Sequence, residues 1–255
     1  MKQWGILYRK EILEQWRSAK WMWLPIVFIL LSISQPLTMY YMPQILNMAG
    51  DLPKGTIIDI PTPSGKEVMA SVLGQYATVG IAIIVLSGMS SIAGERQSGV
   101  IHLILVKPVS ALQYIISKWA AQATLIILSF FISFLSAWYY SNVLFSDVSF
   151  MRVFQSFLVY SVWLIFIITV TILFSSFIKS SGGIAAVSIM FVAALSVTTS
   201  LAVKYMKWSP AYLQNQAKML LTEGKGLDFF TENILLSIGF ILVLLAISTV
   251  LFRKQ

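Results

Sequence analysis

Few side chains in this sequence are of the types that carry chemistry. His102 is the one histidine and there is no cysteine, so neither a His/Cys metal centre nor a thiol nucleophile can be assembled. Carboxylates are scarce as well, with 10 Asp and Glu in 255 residues. The charges that stand closest to a recognisable pattern lie in AGERQSGVIHLILVKPVS, residues 93–110. Within it, Gly94-x-x-x-x-Gly99 has the glycine spacing of a phosphate-binding loop. That chemistry also needs a Lys to reach the terminal phosphates and a hydroxyl to hold Mg2+, and Val100 and Ile101 occupy those two positions. This chain is therefore expected to bind no ATP by that loop, and no catalytic residue, resident cofactor or metal site is expected in it.

The same stretch reads differently as a structural element. Residues 100–106 form an apolar run far too short to cross a bilayer, preceded by Gly99 as a turn and closed by Lys107-Pro108. Proline disfavours helix at the residue before it, and Ser110-x-x-Gln113 matches a capping box, so a new helix is expected to start at Ser110. An apolar run bracketed by charges and turns must be covered by lipid headgroups, by neighbouring helices or by another protein.

The elements that position this stretch follow from composition. The chain is 58% hydrophobic and 11% charged, whereas a soluble domain carries about 25% charged residues. Uncharged apolar runs fall at 22–42, 69–93, 119–141, 153–175, 182–203 and 234–252, each long enough to span. The expected fold is all-α: a single transmembrane domain over 1–255 with six transmembrane helices, an N-terminal interfacial amphipathic helix at 1–21, a segment at 94–118 between spans two and three, and a loop with a short helix at 204–233. Aromatic residues at the run edges, among them Trp21, Trp23, Tyr40, Tyr41, Trp119, Trp138, Tyr205 and Trp208, fit the headgroup level. With an even number of spans both termini share a face. Placing them inside puts eleven of the 18 Lys and Arg on the inner side, the bias expected of cytoplasmic termini. A basic inner face is explained by an anionic leaflet, so the net charge of +8 does not call for nucleic acid.

The N-terminal segment places Trp4, Leu7 or Tyr8, Ile12 and Trp16 near one helical face, which suits a helix lying in the interface. Near 209, Ser209 can cap and Pro210 suits a first helical position. Leu213, Ala217, Leu220 and Leu221 then line one side and Gly224 can end the helix. No ionisable residue lies inside the six runs, although a proton- or sodium-driven carrier would be expected to hold some. Energy for any transport should therefore arrive from outside the bilayer. Span two carries Gly74, Gly80 and Gly88, with Ala70 and Gly74 at small-xxx-small spacing, so it should pack closely, either within the chain or against a second chain.

Glu95-Arg96-Gln97-Ser98-Gly99-Val100-Ile101, followed by Leu103-Ile104-Leu105 and Lys107-Pro108-Val109-Ser110, resembles the E-R-x-x-G-T-(L/I)-x-x-(L/I)-L-x-x-P-(V/I)-S pattern of ABC-2 type transporter permeases. Val100 replaces the usual Thr, and His102 stands where an acidic residue is frequent. Lys10-Glu11 with Arg17-Ser18 is similar to the family's amphipathic N-terminal helix, and Ser209-Pro210 to a Ser/Asn-Pro before its last span. The resemblance implies that residues 94–118 form a cytoplasmic coupling helix. Its docking residues, Gly99, Val100, Leu103, Ile104, Leu105, Lys107 and Pro108, would meet an ATPase subunit that holds the ATP and Mg, with Glu95 and Arg96 offering it charge pairs. It further implies a bacterial cytoplasmic-membrane exporter of an apolar or amphipathic substrate, completed by a second permease chain, identical or related, within membrane lipid. The alternative class is a non-transporting membrane protein acting as a sensor or assembly factor.

Overall fold

The computed structural model describes residues 2–48, 63–99 and 110–253. Every regular element among them is helical. Helix α1 (Lys2–Arg17) is followed by α2 (Lys20–Met48), α3 (Gly65–Gln97), α4 (Ala111–Leu144), α5 (Phe150–Phe177), α6 (Ser181–Leu201), a 3-10 turn at Pro210–Tyr212 that continues into α7 (Leu213–Thr222), and α8 (Phe230–Arg253). Six of these, α2 to α6 and α8, are long and apolar enough to cross a membrane. All but α6, which ends at Leu201 inside its run, extend past the apolar run that marks them in the sequence.

Those ends have local causes. Ser64 and Glu67 form a reciprocal capping box at the start of α3. Ser110 accepts a hydrogen bond from the Gln113 amide at the start of α4, where the sequence placed a helix start. Ser180 does the same for Gly183 at α6. Ser209 accepts from the Ala211 amide, Pro210 opens the turn, and Gly224 adopts φ +76° just past α7. Leu213, Ala217, Leu220 and Leu221 are buried on the expected side, packed against α5 and α3.

Helix α5 is the central span. In its most apolar stretch 72% of residues are buried, against 22% in α2 and 28% in α6 and α8, which leave most of their apolar surface facing outward. The core joins Trp163 and Tyr160 of α5 to Phe130 and Phe134 of α4 and to Phe28 and Tyr76. Tyr76 is its polar hub: the hydroxyl lies 2.6 Å from the Ser133 hydroxyl and 2.9 Å from that of Ser32, and 3.2 Å from the Phe28 carbonyl. It thereby ties α3 to α2 and α4.

Tyr76 also opens a π-helical turn, Tyr76–Gly80, in the middle of α3, with the Ile81 amide donating to the Tyr76 carbonyl. The three glycines expected to pack closely have different surroundings. A Cβ at Gly80 would stand 2.8 Å from the Tyr76 ring, which its three hydrogen-bond partners hold in place. One at Gly74 would meet only the Lys218 ammonium at 3.7 Å. One at Gly88 would make ordinary contact with Thr171 and Gln122, beside a void of about 10 Å3. Gly80→Ala is therefore expected to lower stability by about 1–3 kcal/mol through overpacking. Gly74→Ala and Gly88→Ala should be neutral or stabilising by about 0.5–1 kcal/mol, the helix-propensity gain. Thermal unfolding of the three variants in detergent checks this; a Gly88→Ala loss as large as that of Gly80→Ala would contradict it.

The N-terminal helix docks on α4 through its polar side. Its inward face is polar: Glu11 and Gln15 are buried, whereas Trp16, Leu13 and Ile6 are exposed. The cause lies in α4, whose facing residues are Lys118, Gln122 and Thr124. Tyr8 pairs with Thr124 at 3.0 Å and Gln15 with Gln122 at 3.4 Å. Docking there satisfies polar groups and leaves the ring of Trp16 exposed. Ala19, at φ 56°, makes the reversal into α2, its carbonyl accepting from the Met22 and Trp23 amides.

Candidate functional site

The Glu-Arg pair sits in the last turn of α3, and α4 begins fifteen residues after Arg96. Lys118, about two turns into α4, is 1% exposed, and Glu95 is 6% exposed. A charge so deeply buried needs partners, since an unpaired one costs several kcal/mol. Lys118 Nζ finds them on both sides, at 2.9 Å from Glu11 and 3.0 Å from Glu95. Lys10 pairs with Glu95, and with Glu11 and Glu14 at 3.0 Å each. Tyr114 donates its hydroxyl proton to Glu95 at 2.5 Å, and its ring stacks on Phe252 of α8 at 4.8 Å. Three carboxylates and two ammonium groups from α1, α3 and α4 thus close one network. The oxygens of Glu11, Glu14 and Glu95 lie within reach of a single cation, and the Lys10 and Lys118 ammonium groups are what they converge on. Burial acts to lower the Lys10 pKa, but Glu11, Glu95 and Glu14 outweigh it and raise the pKa above the ordinary lysine value.

Arg96 points the other way. Its guanidinium donates to the Ile178 and Ser176 carbonyls at 3.3 Å each, carbonyls at the C-terminal end of α5 that a cation suits. Gln97 adds a bond to the Lys179 carbonyl. Gly99 then takes φ +73°, the left-handed conformation that glycine adopts without strain, and ends the helix where the sequence placed a turn. Deeper in, Gln122 donates to the Ser87 hydroxyl at 2.7 Å, and Lys20 to the Ser87 carbonyl at 2.7 Å.

Of the residues expected to face a docking partner, Glu95 and Arg96 have their charges satisfied within the chain. They act as anchors between α3 and its neighbours. Gly99 lies at the exposed end of α3. Val100, Leu103, Ile104, Leu105, Lys107 and Pro108, together with His102, lie outside the described residues. The sequence did not reveal Lys10 and Lys118 as partners of Glu95, or Glu11 as a partner of Lys118. Its one available signal was balance: Lys10, Glu11, Glu14, Glu95 and Lys118 all border the same face of the bundle in the expected topology.

Residues 34–250 match the sequence model of the family described as ABC-2 family transporter protein. The chain is also 42% identical over 254 residues to the uncharacterized transmembrane protein YxlG of Bacillus subtilis (strain 168), an alignment that covers 100% of this chain and 98% of that protein.

Proposed function

The chain belongs to the ABC-2 family of transporter proteins, and on that premise we propose that it is the permease subunit of an ATP-driven exporter, with hydrolysis supplied by a separate ATPase docked on residues 100–108. It is a multi-pass membrane protein. The observation that carries the reading is the anchoring at both ends of that stretch. Glu95 and Arg96 lock its entrance to α1, α4 and α5, while Lys118 ties its exit to α1 and α3. A push on a loosely attached loop is lost as local motion. A push on a segment whose two ends are fixed in a charge network moves the helices themselves.

In this reading Val100, Leu103, Ile104 and Leu105 fill an apolar groove of the ATPase, and Gly99, Lys107 and Pro108 shape the turns at either end. Helix-in-groove docking of this kind draws its affinity from apolar anchors. Both termini then lie in the cytoplasm, as the Lys and Arg bias favours. The substrate is apolar or amphipathic and moves outward, and a second permease chain, identical or related, completes the pathway.

Purification of the tagged chain from its native host in mild detergent tests this. A stoichiometric soluble protein with a phosphate-binding loop is expected to accompany it. The Leu103→Asp/Leu105→Asp double variant should insert normally and lose that protein by 10-fold or more. Recovery of the intact chain with no ATPase, where a known pump stays assembled, would overturn the reading in favour of a sensor or assembly factor.

A further inference from the structure

At the face opposite the termini, the connection between α6 and α7 and the first two turns of α8 enclose an open cavity of about 570 Å3. Its rim carries Lys204 and Lys207, and its wall carries Trp208, Phe229, Leu235 and Leu236. Lys204 has no carboxylate within ion-pairing distance among the described residues. Lys207 pairs with Asp228 at 3.4 Å, but Asp228 is 85% exposed, and pairs of that kind are worth about 0–1 kcal/mol. Two cations are therefore open to an anion.

Phe229 supplies a second and independent observation. It holds φ 62°, a left-handed conformation that costs a bulky residue about 1–3 kcal/mol. Its ring is nevertheless 58% exposed, so no core packing offsets the strain. What the conformation achieves is to set the ring 5.7 Å from the Lys207 ammonium, on the cavity wall. The backbone opposite is fixed too, since the buried Asn233 side chain donates to the Lys207 and Ser209 carbonyls at 2.9 and 2.8 Å. From the cavity an apolar track leads down the outside of α8. Trp208 lies 6.0 Å from Phe240, and Leu236, Phe240 and Val243, spaced at helical intervals, are all exposed.

We propose that this cavity is a phospholipid site in the leaflet opposite the termini, with the lipid phosphate bridged by Lys204 and Lys207 and an acyl chain lying along Leu236, Phe240 and Val243. Charge complementarity selects the phosphate, and the aromatic rings of Trp208, Tyr205 and Phe229 mark the depth at which a headgroup sits. Glu232, also on the rim, accepts hydrogen bonds from hydroxyl or ammonium groups of the headgroup. The occupant is a bilayer lipid because the apolar track is continuous with the lipid-facing surface of α8. The site is independent of the ATP-driven reading, since it forms within this chain alone.

The test is native mass spectrometry of the purified full chain, delipidated and then titrated with dioleoyl phosphatidylglycerol. One lipid should be retained preferentially. Lys204→Gln/Lys207→Gln should lower its retention 10-fold or more. Phe229→Asn, which suits a left-handed backbone, should leave the unfolding temperature unchanged or higher while lowering retention several-fold. Retention of the lipid by the double lysine variant at the wild-type level would overturn the assignment. Diacylglycerol bound as tightly as the phospholipid would show that no phosphate is read. Glycerol phosphate bound as tightly as the lipid would show a free-anion site; either result also overturns it.

Discussion

Lys118→Met is expected to lower the apparent unfolding midpoint of the purified chain by about 6–20 °C, the equivalent of about 3–5 kcal/mol for breaking a buried ion pair in a chain of this size. Methionine fills the volume but leaves Glu11 and Glu95, both buried, with their carboxylates facing each other and only Lys10 between them. The cost arises from these uncompensated charges, not from the lost attraction. The triple variant Glu11→Gln/Glu95→Gln/Lys118→Met removes the charges together and should recover most of the loss. Thermal unfolding of the two variants side by side decides the matter. An unchanged midpoint for Lys118→Met would mean that the network is not an energetic unit. A triple variant as unstable as the single one would mean that its geometry, not its charge balance, stabilises the fold. The triple variant serves a further purpose: with the fold restored and the network neutral, ATPase association measures whether the charges at the base of residues 100–109 matter to coupling.

Asn233→Asp is the second large expected effect, about 2–4 kcal/mol of destabilisation. Asn233 is fully buried, and its Nδ2 donates to the backbone carbonyls of Lys207 and Ser209, of which that of Ser209 also accepts from the Tyr212 amide at 3.0 Å. Its Oδ1 has no hydrogen-bond partner among the described residues, so the residue stands there for its donor. Aspartate keeps the shape and removes both donated bonds: the lost bond at Ser209 costs about 0.5–1.5 kcal/mol and the Lys207 carbonyl, left without its partner, about 1–3 kcal/mol. The loss concerns more than stability. These bonds fasten the connection after α6 to the first turns of α8, and α7 is packed under it through Ser156, whose hydroxyl donates to the Ala217 carbonyl at 2.8 Å. Unfolding midpoint and phosphatidylglycerol retention should therefore fall together in Asn233→Asp. In Phe229→Asn they should separate, with retention falling alone. A wild-type midpoint in Asn233→Asp would remove the structural basis for both expectations.

The two networks sit at opposite faces of the bundle and are built alike, each fastening a connection to the helices that flank it. Near the termini the fastening is ionic, and at the opposite face it runs through backbone carbonyls. The ionic one costs more to bury and has the stricter geometry, with Lys118 Nζ within 3.0 Å of carboxylates from two different helices.

By itself, the sequence determined the helical class, the six spans, the helix starts at Ser110 and Pro210, and the turn at Gly99, because these depend on local quantities: apolar length, capping side chains and glycine or proline conformation. It also carried the family resemblance, through residues 95–110. Only the tertiary structure decided that α5 is the central span, since α8 is just as apolar and its residues face outward. In a bilayer a lipid-facing helix and a buried one are both apolar, and composition does not separate them. The tertiary structure alone also turned Glu95 and Arg96 inward. Glu11 and Lys118 meet across 107 residues, and Arg96 reaches Ser176 of α5 across 80. Pairings of that range are fixed by how helices dock, which leaves no periodic trace along the chain. The same holds for the polar inner face of α1. Its aromatic residues pointed to the interface, while the partners that claimed Glu11 and Gln15 stood on α4 and became visible only when the two helices were set side by side.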